Sequence, residues 1–325
     1  AARFNVAPGG RVVVSAANGV APAAAILGIW RLGAIPVLVH AEAPERHLAH
    51  AARLTGAASV LVDPDRSMPA IDAPIVWTDR TDTGGRPPPA PRQSGVEPAS
   101  ILFTSGSSGP PKGVTQNALT LIDGADRVAY LLGYGRGDSI LCGVPFAFDY
   151  GWGQLLSTFF RGVPLVLPER RDAFGLCDAM ASLRPTVLAG VPALFADLLA
   201  GVSPIKLTDR GSIRLITSTG SKVPRPVWSA LVGTFPDAEI ALNYGLTETY
   251  RSACLPPSLA RAHPASVGFA LPGVDIAVMR PDGTRCVADE EGEIVHRGAG
   301  AFLGYWGEPE RTAATLRPDP LWTHG

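Results

Sequence analysis

The feature that most constrains this chain is an alternation. Short runs rich in Val, Ile and Leu exchange with helical patterns through the first three quarters of its 325 residues. Strands are expected over 12–16, 35–39, 59–62, 100–104, 139–142, 163–167, 186–189, 213–217 and 239–243, and helices over 22–32, 44–54, 119–132, 174–183 and 224–235. Pro44 and Pro224 suit first helical turns, and Gly33 suits a helix stop. Strands that are apolar throughout and bracketed by helices must be covered on both faces. The fold class is therefore α/β, a layered α/β/α core with mostly parallel sheets. After about residue 264 the rhythm changes to 274–279, a Pro281-Asp282-Gly283 turn, 285–287 and 293–297, which predicts a small antiparallel β-subdomain. The expected organisation is a first α/β subdomain over 1–98, a second over 99–263 and the β-subdomain over 264–325. The stretch 83–98, with Pro87-Pro88-Pro89-Ala90-Pro91, continues neither element and reads as a surface connection.

Composition removes several classes of function. Hydrophobic residues make up 46% and charged residues 18%, enough apolar material for a sizeable core. The net charge of -1 lacks the basic footprint of a protein that tracks nucleic acid or an anionic membrane. Cys142, Cys177, Cys254 and Cys286 are scattered with no C-x-x-C pair, which argues against a disulfide scaffold or zinc ribbon and for a cytoplasmic setting. The longest apolar stretch, 21–30, is closed by Arg31 and is too short to span a bilayer. His47 and His50, set among Glu45, Arg46 and Arg53, read as a solvated helix face.

The most informative segment is Thr104-Ser105-Gly106-Ser107-Ser108-Gly109-Pro110-Pro111-Lys112-Gly113, directly after the apolar run Ile101-Leu102-Phe103. Ligands bind beyond the ends of strands in open α/β sheets. Thr104, Ser105, Ser107 and Ser108 supply hydroxyl donors, Gly106 and Gly109 let backbone N–H groups turn inward, and Lys112 adds a cation. That inventory suits a polyphosphate. It is neither a G-x-x-x-x-G-K-[ST] loop nor a G-x-S-x-G elbow, and no G-x-G-x-x-G follows the first strand.

The segment resembles the phosphate loop of the adenylate-forming superfamily, which comprises acyl-CoA synthetases, nonribosomal peptide adenylation domains and luciferases. Asn243-Tyr244-Gly245-Leu246-Thr247-Glu248 resembles the family motif whose Tyr lies against adenine, whose Thr contacts the α-phosphate and whose Glu helps hold Mg²⁺. Thr219-Gly220-Ser221 resembles the turn lining the adenine pocket, and Gly292-Glu293-Ile294 with Gly304-Tyr305-Trp306 resembles the family's small barrel. The resemblance implies an ATP-dependent, Mg²⁺-assisted ligase that turns a carboxylic acid into its acyl-adenylate. The acyl group then passes to a thiol of CoA or a carrier protein, or to an amine. Thr104, Lys112, Thr247 and Glu248 are the catalytic candidates. The nucleotide would be held by Thr104, Ser105, Gly106, Ser107, Ser108, Gly109, Lys112, Thr219, Gly220, Ser221, Asn243, Tyr244, Gly245 and Thr247, with Glu248 on the metal.

Beside the resemblance, a Tyr at a strand end offers a flat face for a purine, and Glu248 is a hard oxygen donor of the kind Mg²⁺ accepts. The resembled family has Thr-Gly-Asp after a Trp in this region, and Trp322-Thr323-His324-Gly325 is the last of it present in this sequence. The ribose-binding Asp and the C-terminal lid with its lysine are therefore expected outside this sequence, as are a strand and a helix before Ala1.

For the acid, Phe148-Asp149-Tyr150-Gly151 resembles the segment whose Asp pairs with the α-amino group in amino-acid-activating members. Asp149 also fits a plain helix N-cap. By the same resemblance Asp149, Ala189, Thr217, Thr219, Asn243, Arg251 and Ser252 line the acid cavity. Arg251 is open to three readings: it binds a second carboxylate, pairs with Asp149 or points outward. Phe148–Gly151 and Thr249-Tyr250-Arg251-Ser252 are also similar to stand-alone acyl-CoA ligases found in bacterial gene clusters. The leading expectation is an amino acid or amino-bearing acid. The alternatives are a fatty- or aryl-acid CoA ligase and a non-catalytic nucleotide-binding module.

Overall fold

The computed structural model describes residues 6–78, 94–104, 110–318 and 321–324. The chain divides into two compact units. One is Ala1–Leu121 with Pro145–Asp149 and Ala301–Gly325, and the other is Ile122–Val144 with Tyr150–Gly300.

In the first unit, β1 (Arg11–Ser15) pairs in parallel with β2 (Ile35–Leu38) and β3 (Ser59–Val62), placing Val13 between Val37 and Val60. β4 (Ile75–Trp77) extends one edge beside β3, and β5 (Pro98–Thr104) joins β2 in parallel on the other side. β6 (Lys112–Asn117) runs antiparallel to β5, and the short strand Gly304–Tyr305 completes a seven-stranded sheet. Helices α1 (Val20–Arg31) and α2 (Glu45–Thr55) connect the first strands. On α2 the buried residues Leu48, Ala51, Ala52 and Thr55 follow the i, i+3, i+4, i+7 stripe that a sheet-covering helix needs. Gly33 lies one residue beyond the α1 cap at φ 71°, which is the left-handed stop expected of it.

The second unit builds its own seven-stranded sheet. After α3 (Ala118–Leu131), the strands β7 (Ile140–Cys142), β8 (Leu165–Val166), β9 (Val187–Gly190), β10 (Leu215–Ser218) and β11 (Glu239–Tyr244) are parallel. β12 (Ala253–Leu255) and β13 (Phe269–Ala270) add antiparallel strands beside β11. The helices between are α4 (Asp149–Arg161), α5 (Ala173–Leu183), α6 (Pro192–Leu198), α7 (Arg225–Thr234) and the short α8 (Pro257–Ala260). Leu176, Met180, Phe195 and Leu231 from these helices close over Leu188 and Ile216 of the sheet. β14 (Val274–Met279) and β15 (Glu293–Gly298) form an antiparallel hairpin; in the first unit, Leu316–Pro318 pairs with Leu321–His324, also antiparallel. The α/β class with mostly parallel sheets and a small antiparallel part is as the sequence predicts.

β5 and β6 join the sheet of β1–β4 in the first compact unit. Three details differ from the expectation. β5 enters that sheet through a long-range pairing, Val37 beside Ile101, that no local pattern announces. β6 replaces the expected loop end, because Val114 and Thr115 pair with Leu102 and Ile101. The Gly/Ser-rich segment therefore lies between two antiparallel strands; its residues 105–109, like the proline stretch 87–91, lie outside the described residues. Finally, Arg285–Val287 contributes one bridge, Met279 to Arg285, because the Asp282-Gly283 turn is closed locally by Arg280 N–H donating to Thr284 O at 2.8 Å.

The parallel sheet of the second unit is pinned at its N-terminal edge. Asp138, before β7, receives Arg214 Nε at 2.7 Å and Nη2 at 2.5 Å from before β10, and Thr186 Oγ1 at 2.7 Å from before β9. The fork from Arg214 holds the Asp138 carboxyl down from 3.8 to about 2. The folded form thus binds its proton less readily than the unfolded chain. The stabilisation is complete above 3.8 and disappears as pH falls from there towards 2. Asp138→Asn is expected to cost about 1.5–3 kcal/mol, the range for hydrogen bonds to charged groups. Its denaturation midpoint should change less than that of the wild type between neutral pH and pH 3 in urea titrations.

Candidate active site

Because β9, β10 and β11 are parallel, their C-terminal ends share one edge, and the segments that follow them gather there. A cavity of about 330 Å³ opens at this edge, between Thr219-Gly220-Ser221-Lys222 after β10, Tyr244-Gly245 at the end of β11 and the segment 264–267. Gly220 sits at φ 90°, a conformation that glycine adopts without penalty. Asn243 ties the two strand ends together. Its Nδ2 donates to Thr217 Oγ1 at 2.8 Å and to Ser218 O at 3.3 Å, while Thr219 Oγ1 donates to Asn243 O at 3.0 Å. Tyr244 is half-buried on the wall, and desolvation raises its phenol pKa.

The chain leaves this wall through the 3₁₀ turn Thr247–Thr249, which buries Glu248 to 9% exposure. Tyr250 follows at φ 55°, unusual for a bulky side chain. Arg251 is 3% exposed; its Nη1 donates to Thr219 Oγ1 at 3.2 Å, and its guanidinium lies 5.3 Å from the centre of the Tyr150 ring. The outward reading of Arg251 is excluded. Ala189 and Thr217 sit side by side on β9 and β10, both fully buried, and Ser252 is buried as well.

In the first unit, Thr104 and Lys112 face each other across the last pair of the β5–β6 ladder. Thr104 Oγ1 is buried with no hydrogen-bond partner among the described residues. Lys112 Nζ donates to Tyr305 Oη at 2.7 Å and lies 4.3 Å from that ring's centre. Asp149 is the first residue of α4, where the helix dipole favours a carboxylate. The backbone before it is held by Asn18, whose Oδ1 accepts from Phe146 N–H at 2.8 Å, and by His40, whose ring centroid is 5.1 Å from that of Phe148.

Glu248 is a single, nearly buried hard carboxylate. Among the described residues no three His, Cys, Asp or Glu side chains gather into a metal site. This donor set fits Mg²⁺ that takes most of its ligands from phosphate and water, and not an all-protein cage. No described helix is long and apolar enough to cross a membrane.

The sequence analysis did not name Asn18, Tyr150 or Lys222 as candidates, although Asn18 meets the backbone before Asp149, Tyr150 lies beside Arg251 and Lys222 is on the cavity wall. Lys222 was legible because it directly follows the Thr219–Ser221 turn. The others carry no local signal, because their partners are remote in sequence.

The described residues form an α/β protein with an aromatic-walled pocket at a parallel sheet edge, and the buried Glu248 follows that wall in the chain. The family model for AMP-binding enzymes matches residues 2–306, and the chain belongs to that family. It is 29% identical over 338 residues to an anthranilate–CoA ligase of Pseudomonas aeruginosa, covering 94% of this chain and 62% of the relative. It is 27% identical over 304 residues to gramicidin S synthase 2 of Aneurinibacillus migulanus, covering 91% of this chain and 7% of the relative. The chain thus spans less than two thirds of the length of these curated relatives. Among solved structures it is similar to VinN, with a TM-score of 0.86 and 26% identity, covering 99% of this chain and 83% of that one. VinN in complex with L-aspartate matches at TM-score 0.83, with 26% identity over 98% of this chain and 86% of that one.

Proposed function

We propose that this protein activates an amino-bearing carboxylic acid that carries a second carboxylate, using ATP and releasing pyrophosphate. One carboxylate oxygen attacks the α-phosphorus, the new O–P bond forms, and the bond to the pyrophosphate oxygen breaks. The acyl-adenylate then gives its acyl group to a thiol of CoA or a carrier protein, or to an amine, as the bond from the acyl carbon to the phosphate oxygen breaks and AMP leaves. Thr104, Ser105–Gly109 and Lys112 bind the phosphates. Thr219, Gly220, Ser221, Asn243, Tyr244 and Gly245 hold the base, and Thr247 contacts the α-phosphate. Glu248 would hold Mg²⁺, which neutralises phosphate charge when bound. What the protein supplies is position and charge, since such a step needs little covalent help.

The observation that carries the substrate class is the buried guanidinium of Arg251, supported by the binding of L-aspartate and 3-methylaspartate to VinN. Asp149 is assigned to the substrate ammonium, and Ala189, Thr217, Thr219 and Ser252 to the cavity walls. A second reading, an aryl-acid CoA ligase, is favoured by the likeness to the anthranilate–CoA ligase. ATP–pyrophosphate exchange by the full-length enzyme tests both, with L-aspartate, 3-methylaspartate, β-alanine, succinate, anthranilate and octanoate as acids. Exchange driven best by the aspartates supports the proposal, and exchange driven best by anthranilate or octanoate overturns it.

The phosphate assignment has its own check. Thr104→Ala combined with Gly106→Val is expected to weaken AMP and ATP binding about 100-fold in calorimetric titration, because a branched side chain blocks close backbone approach to phosphate. Unchanged affinity would remove the loop from the nucleotide site.

A further inference from the structure

His296, on β15, is 3% exposed although it lies on a hairpin whose neighbouring residues Glu293 and Arg297 are exposed. Both ring nitrogens are engaged. Nε2 is 3.1 Å from Ala299 O, and Nδ1 is 3.0 Å from Ser252 Oγ. A carbonyl only accepts, so the ring proton sits on Nε2, and Nδ1 of the neutral ring accepts from the Ser252 hydroxyl. Ser252 Oγ is in turn 2.9 Å from Thr249 Oγ1, and Thr249 Oγ1 accepts from Leu246 N–H at 3.1 Å. Thr249, Ser252 and His296 are all buried, so this is a polar chain through the interior from the hairpin to the segment after Tyr244.

The two residues between Thr249 and Ser252 are the ones that need holding. Tyr250 sits at φ 55° and ψ -66°, a strained backbone for an aromatic residue, and Arg251 follows it. Glycines press on the turn from several sides. A Cβ on Gly124 would stand 2.6 Å from the Tyr250 ring, one on Gly245 would stand 2.9 Å from Arg251 Cα, and one on Gly300 would stand 2.6 Å from Thr249 O. Packing of that kind presses the turn inward but does not set its direction. The hydrogen-bond chain supplies the direction, because it fixes the residues on either side of the strained pair.

We infer that His296 is a positioning residue for acid recognition: through Ser252 and Thr249 it locks the strained turn that aims the Arg251 guanidinium at Thr219. The inference rests on Arg251 receiving the substrate's second carboxylate, as proposed above. It extends that reading to a residue on a different element, 45 positions away in sequence by the difference between 296 and 251.

The test compares His296→Val, which breaks the chain, with His296→Gln, which can still donate to Ala299 and accept from Ser252. Hydrogen–deuterium exchange of the segment 244–252 reports the turn directly. In His296→Val it should exchange about tenfold faster, the factor for one lost buried hydrogen bond, while β9 and β10 stay unchanged and His296→Gln restores protection. In ATP–pyrophosphate exchange by the full-length enzyme, His296→Val should raise KM for L-aspartate about tenfold and leave KM for ATP and kcat within about twofold. A turn as protected in His296→Val as in the wild type would overturn the inference, whatever the substrate. A loosened turn with unchanged KM for L-aspartate would also overturn it. Failure of the underlying reading looks different: Arg251→Gln would then leave KM for L-aspartate unaltered. Where both single variants act, the double variant should be no worse than Arg251→Gln alone, since both remove the same contact.

Discussion

Glu248→Gln is expected to reduce pyrophosphate exchange by about 10²–10³-fold while leaving the fold intact. The substitution keeps the size of the side chain and its capacity to hydrogen-bond within the Thr247–Thr249 turn. It removes only the negative charge. If the carboxylate serves a metal on the substrate phosphates, the loss should be partly recovered as Mg²⁺ is raised, because a weakened site refills by mass action. A carboxylate that merely closed the turn would show the opposite pattern, with a lowered melting temperature and Mg²⁺-independent turnover. Melting temperature and an Mg²⁺ titration of the exchange rate, measured on both proteins, separate the two. Wild-type turnover at low Mg²⁺ in the Gln variant would remove Glu248 from the metal role.

The second large effect is expected at Arg251. Arg251→Gln should lower kcat/KM for L-aspartate about 10²–10³-fold, since truncating one member of a buried charge pair with a ligand carries a large cost. The same variant should handle β-alanine, which lacks the second carboxylate, as the wild type does or better. Asp149→Ala gives the complementary pattern: a comparable loss with L-aspartate and little change with succinate, which lacks the ammonium. The four rates form a cross in which each side chain answers to one substrate group. Equal, mild losses in both variants with an acid that contains no nitrogen would discard the amino-acid reading.

Much of the architecture was legible because it follows from local periodicity. A strand whose residues are all buried must read as an unbroken apolar run, as Val12–Val14, Ile140–Cys142 and Leu215–Ile216 do. A sheet-covering helix must repeat every three to four residues, as α2 does. The strands β4 and β12 and the helix α6 escaped notice because three to seven residues are too few to display a period. Candidate residues of the site were legible for a related reason. Thr219–Ser221 and Asn243–Glu248 each lie within a single turn or strand end, so their chemistry is contiguous in the chain.

The sequence by itself determined the order and kind of most elements, the α/β class and the segments to which phosphate, base and metal roles are proposed. Only the tertiary structure decided that the Gly/Ser-rich segment joins antiparallel strands, that Lys112 meets Tyr305 and that Arg251 points inward against Thr219 and Tyr150. The physical reason is distance along the chain. Side-chain period and turn chemistry act over a few residues and leave a mark in each segment, whereas strand register and interior hydrogen bonds are chosen by the whole core. Arg251 and Thr219 stand 32 positions apart, and Lys112 and Tyr305 stand 193 apart. Nothing in either neighbourhood encodes the other until both are packed.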